Sequence, residues 1–182
     1  MARNTVSRSL HDLGLAAWFG GTLANAIALN PAASAAQGES DTGAVANVGW
    51  DRWTPVNATA IGAHVVGSLG QIQGNLGRIQ AQKGVASMAL FKTGLTAAAL
   101  VVTAYSRVLG RKVSEHTRVP AESGTEPAAS TPTDVAAAQR QLRLLQWAVP
   151  AVTGALVVIS AFAGEQERAS EVNKGLVQRL VG

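Results

Sequence analysis

Residues 9–30, SLHDLGLAAWFGGTLANAIALN, constrain this chain more than any other stretch. After a basic start at Arg3 and Arg8, apolar or small residues continue for about 20 positions, which at 1.5 Å per residue is the length that crosses a bilayer. In lipid every backbone N–H and C=O must be paired within the segment, so such a run is a helix. His11, Trp18 and Asn25 recur every seven residues, with Gly14 and Gly21 beside them, so one face of that helix is polar and small. The competing reading is a secretory leader cut after Ala33-Ser34-Ala35. The run is longer than a usual leader core, and a discarded peptide needs no patterned face.

Composition agrees with membrane helices. Hydrophobic residues make up 47% of the 182 and charged ones 14%, with 19 Gly, which suits closely packed spans. The net charge of +4 comes from Lys and Arg placed beside apolar segments without aromatic interleaving, which fits anionic headgroups rather than nucleic acid. There is no Cys, so disulfides, thiol catalysis and Cys-ligated metals are excluded.

Residues 32–53 show no helical or strand periodicity and read as a polar loop, Pro31 ending the first helix. Trp50 and Trp53 close that loop like an interfacial belt. Residues 55–77 are the least apolar span. Asn57, His64, Ser68, Gln71 and Asn75 fall on one helical stripe, flanked by Gly67, Gly70 and Gly74 at spacings that admit a close neighbour. Residues 85–113 form a third span interrupted by Lys92, whose face continues through Thr96, Ala99 and Thr103. Residues 114–133, rich in Pro, Ser and Thr, read as a disordered loop. Residues 134–164 carry the clearest apolar run, with Pro150 inside it. Residues 165–182 are a charged tail in which Val172, Leu176 and Leu180 mark a short surface helix.

The expectation is therefore an all-α, single membrane domain over residues 1–182. It is an antiparallel four-helix transmembrane bundle, with helices at about 9–31, 55–77, 85–113 and 134–164 and two polar, disordered extramembrane loops. It belongs in the cell inner (cytoplasmic) membrane. Lys and Arg divide seven to seven between the two sides, Lys92 apart, so the positive-inside rule does not choose an orientation. The first helix usually dominates, which favours cytoplasmic termini. A three-span arrangement with residues 55–77 lying on the membrane is the competing topology.

The residues needing explanation are the polar ones inside the spans: Trp18, Asn25, His64, Gln71 and Lys92. An intramembrane Lys costs several kcal/mol unless paired or hydrated and marks a functional position by default. It can also simply tie helices together, as a neutral His64 can. With residues 32–53 as a loop, rise per residue sets His64 roughly 18 Å above His11, Trp18 level with Gln71 and Lys92, and Asn25 level with His64. That spacing excludes bis-histidine haem ligation. His116, in the second loop, adds no metal ligand. Asp12 beside His11 resembles an acid–base pair, but it equally complements a helix start. No nucleotide motif, nucleophilic triad or paired carboxylates stand out, and neither cofactor nor metal is implied.

The phrases HDLGLAAWFGGTLANA, WTPVNATAIGAHVVGSLG and TAYSRVLGRK resemble a group of small four-helix membrane proteins of actinobacteria that has no established activity. A weaker likeness, on His11, Trp18, Gly20 and Gly21, is to small membrane families related to anthrone-oxygenase-like proteins. It implies no oxygenase activity here. The reading that follows is a non-enzymatic membrane protein binding a partner or a small lipophilic ligand in an intramembrane polar cavity. Two alternatives remain: a redox accessory or enzyme acting on a quinone-like or polyketide-like molecule, and a soluble helical subunit of an assembly. The expected partners are the lipid bilayer and either a second copy or another membrane protein, not nucleic acid.

Overall fold

The structure is a computed structural model, and it describes residues 4–115 and 118–166. His116 and the expected surface helix at Val172, Leu176 and Leu180 lie outside the described residues. The described chain is all-α apart from one small hairpin. Helix α1 (Thr5–Ala24) runs through a π-helical turn (Asn25–Leu29) into α2 (Asn30–Ala33). Helix α3 is Glu39–Gly74, α4 the short Leu76–Ala81, α5 Lys83–Ser114 and α6 Thr133–Gln166. Between α5 and α6, strands β1 (Ala121–Ser123) and β2 (Glu126–Pro127) pair antiparallel.

Two expectations are corrected. Pro31 does not end the first helix. It sits in the first turn of α2, where its missing N–H costs nothing, because the π-turn before it has already shifted the ladder: Asn30 N–H reaches back five residues to Asn25 O. Residues 39–53 are not a loop but the first half of α3. The tight connection is residues 34–38, closed by Gly38 at φ 136°, a conformation that requires glycine, and α3 then starts with Glu39 and Asp41 against its positive dipole end. This half of α3 lacks an apolar stripe because the positions it buries are Thr42, Gly43 and Ala46. Its periodicity is one of size, not hydropathy.

Helix α1 packs along the whole of its own length against α3. α5 packs on α6 and α6 on α1, while α3 and α5 barely touch. The α1–α3 seam is made of glycine. A Cβ at Gly14 would lie 2.5 Å from His64 N, one at Gly67 would strike the His11 and Ser7 backbones, and Gly70 and Gly74 face Ser7 and Asn4. Two cores result. One, inside the bundle, joins Leu15, Trp18, Ala60, Ala99, Val149 and Leu156. The other joins Leu109 and Val113 of α5 with Val119, Val135 and Ala138.

That second core corrects the expectation of disorder over residues 114–133, because Val119, Ala121, Thr125 and Ala128 are buried beneath α3 and α6. Exposed ion pairs cross between the elements of this end: Arg107–Asp51, Lys112–Asp134, Arg118–Asp41 and Arg143–Glu126, at 3.3–3.7 Å. Such pairs are individually worth little, but their placement marks this end as hydrated. The helices Thr5–Ala33, Lys83–Ser114 and Thr133–Gly164 are long and apolar enough to cross a membrane. α3 is not among them, since its second half spends its hydropathy on the polar stripe.

Candidate functional site

The α1–α3 register decides where the polar side chains meet. Because α3 begins at Glu39 rather than near residue 55, His64 slides down beside His11 instead of standing roughly 18 Å above it. The two imidazole centroids are 4.5 Å apart with planes tilted by 45°. Both rings are buried, at 1% and 0% exposure. This corrects the expected layers, and it leaves no room for an iron between the rings.

His64 is fully engaged. Its Nδ1 lies 3.3 Å from the His11 carbonyl oxygen, which can only accept, so Nδ1 carries the proton and Nε2 accepts from the Thr96 hydroxyl at 3.4 Å. Trp18 stands edge-on to the same imidazole at 6.0 Å and donates its Nε1–H to Thr103 Oγ1 at 3.2 Å. Trp18 is thus a packed member of the core, one layer away from Lys92 rather than beside it. Asn25 lies between Gly21, which carries the Trp53 ring, and Leu29, which covers Gly49, so its layer is that of Trp53 and not of His64.

His11 is less settled. Nδ1–H donates to Asp12 Oδ1 at 2.7 Å, while Nε2 is buried with no hydrogen-bond partner in the protein. Gln71 and Lys92 do share a layer. With His11 they form the partition between two cavities, one of about 280 Å³ between α3 and α5 and one of about 350 Å³ between α1 and α6. Gln71 Nε2 also has no hydrogen-bond partner. The first cavity continues along Leu69, Ile72, Met88 and Leu100, so a cationic and amide end passes into an apolar channel. Among the described residues no three His, Asp or Glu side chains gather as metal ligands would.

Sequence reasoning missed two features. His11 joins the site only once the register is known. Asn30 is a buried hub: its Nδ2 donates to Gln146 Oε1 at 2.8 Å, its Oδ1 accepts from Trp50 Nε1 at 2.9 Å, and its carbonyl accepts the Gly124 N–H at 3.0 Å. Its sequence signal was an amide at the end of an apolar run, the kind of residue that lipid does not tolerate without partners. No protein-family model, curated protein or solved structure matches this chain.

Proposed function

We propose that the chain is a multi-pass protein of the inner (cytoplasmic) membrane, a four-helix transmembrane bundle with cytoplasmic termini. In this reading it binds a small lipophilic ligand with an anionic or hydrogen-bonding end at Gln71 and Lys92. The membrane part is supported by an inverted surface. Leu13, Leu90 and Leu144 are 72–75% exposed and Phe162 63%, while His11, His64 and Thr153 are buried. Four spans are supported by the α1–α3 seam: a bilayer crossed by α1 from Asn4 to Leu29 also contains the α3 backbone packed against it.

One observation carries the ligand reading. Lys92, in the middle of an apolar helix, lines two cavities together with an amide that has an unpartnered donor. The test compares the organic extract of detergent-purified protein, by mass spectrometry, with that of its Lys92→Met variant. Lys92 is half-buried, and removing such a charge from an apolar helix at nearly constant length is neutral or stabilising where the charge serves packing alone. The expected result is an extracted lipophile near one per protein that falls at least fivefold in the variant, with thermal stability held. Equal recovery from both proteins would defeat the reading. The Asp12–His11 pair at the same partition favours a second reading, an enzyme or redox accessory acting on that lipophile. Chemical conversion of the extracted molecule by wild type but not by His11→Gln would select it.

A further inference from the structure

The α3–α5 cleft holds a second cavity, of about 290 Å³, toward the end that carries the β1–β2 hairpin. None of Trp18, Asn25, His64, Gln71 and Lys92 lines it. Its walls are Ile61, Leu100, Leu142, Leu145 and Val149, with Trp50 and Trp53 on the α3 side. The tip of the hairpin, Gly124 and Thr125, closes its outer end and is held there by the Gly124 N–H bond to Asn30 O. The two tryptophans are one turn apart on the same helix and differ in one respect. Trp50 Nε1–H has its acceptor in Asn30, whereas Trp53 Nε1–H has none. One turn further along, Asn57 Oδ1 is a buried acceptor without a donor, and Asn57 also lines the cavity. A buried donor and a buried acceptor left unmatched in one wall cost stability that a correctly equipped guest restores. The single charged residue in the lining, Arg107, is paired with Asp51 at 3.6 Å, so the guest this cavity suits is uncharged.

We propose that this cavity is a binding site for a neutral, flat ring compound that carries a carbonyl and a hydroxyl. It enters from the bilayer between α3 and α5, the carbonyl accepts from Trp53 Nε1–H, and the hydroxyl donates to Asn57 Oδ1. An apolar cavity of about 150 Å³ holds a single benzene ring, so the volume here matches two fused rings. Indole walls favour a flat guest through offset or edge-on ring contacts. The site adjoins the cavity at Lys92, with Leu100 as the wall they share, but has neither Gln71 nor Lys92 in its lining and does not depend on them.

The test is calorimetric titration of the full chain in detergent with 6-hydroxy-2-acetonaphthone, a naphthalene with a hydroxyl and a ketone on opposite rings, against a detergent-only blank. Saturable one-to-one binding is expected. Asn57→Leu and Trp53→Phe each weaken it tenfold or more; the melting temperature holds or rises in Asn57→Leu, which removes a polar atom that has no partner, and falls in Trp53→Phe, which also uncovers Gly21. A Cβ at Gly110, in the cavity wall, meets nothing within 4 Å. Gly110→Leu therefore fills the space without displacing the core, and abolishes binding. Lys92→Met leaves the affinity unchanged. Heat equal to the blank, unaltered affinity in Asn57→Leu or Gly110→Leu, or a loss in Lys92→Met overturns the proposal. Should Trp53→Phe fail to fold, the other two variants decide it.

Discussion

Asn30 shows how much one amide can hold when it sits where four elements converge. Its side chain bonds α3 through Trp50 and α6 through Gln146, and its carbonyl bonds the hairpin. At 2% exposure it has no solvent to fall back on. Asn30→Leu keeps the volume and removes both side-chain partners at once, leaving the Trp50 N–H to find another acceptor. Each buried polar group so orphaned costs about 1–3 kcal/mol. With two such groups, the apparent melting temperature in detergent is expected to fall by roughly 4–24 °C, at about 2–4 °C per kcal/mol for a chain of this size. Gln146→Leu, which orphans only one donor of the Asn30 amide, should fall by less. Equal losses in the two variants would mean that the Trp50 bond contributes nothing.

Among the elements, what the sequence made legible is uneven, and the reason is physical. The apolar helices announce themselves because their outward faces are apolar as well, with Leu13, Leu90, Leu144 and Phe162 exposed. The polar face of α5 was readable too: Thr96 touches His64, Ala99 is buried and Thr103 accepts from Trp18. The first half of α3 was not, because the positions it buries, Gly43 against the Val119 backbone and Ala46, are too small to leave a hydropathy signal, and with it went the register that brings His11 to His64. The α1–α3 glycine seam makes a sharp prediction. Gly67→Ala sets a Cβ 2.5 Å from Ser7 O, a backbone atom, so α1 and α3 must part, at about 1–3 kcal/mol of overpacking. Gly62→Ala, on the outer face of the same helix with nothing within 4 Å, should instead gain up to ~1 kcal/mol from helix propensity. Thermal unfolding of the pair measures both signs, and a Gly67→Ala protein as stable as wild type would contradict the seam.

At the scale of the whole molecule, if the apolar helices cross a bilayer, the seven-to-seven split of basic residues does not choose which side each end faces. The geometry restricts the answers. α1 is antiparallel to α3 and lies along it from end to end of α1, and α5 follows α3 through the short α4 turn, with His64 facing Thr96. If α1, α5 and α6 cross the bilayer, α3 crosses with them. The α4–α5 turn and the hairpin then lie on opposite faces. The chain has no Cys, so a single introduced thiol is unambiguous. Gly84, at the start of α5, and Glu122, in β1, are both exposed, and neither change disturbs a core. With cytoplasmic termini, a membrane-impermeant maleimide added to intact cells stripped of their outer barrier should label Glu122→Cys and spare Gly84→Cys until the membrane is permeabilised. A third thiol at Gln37, exposed in the connection before α3, separates the alternatives. The reverse pattern with Gln37→Cys spared would keep the four-span bundle and invert it. Labelling of Gln37→Cys and Gly84→Cys together, with Glu122→Cys spared, would instead require α3 to leave the bilayer, breaking the glycine seam with α1, and would return the three-span topology.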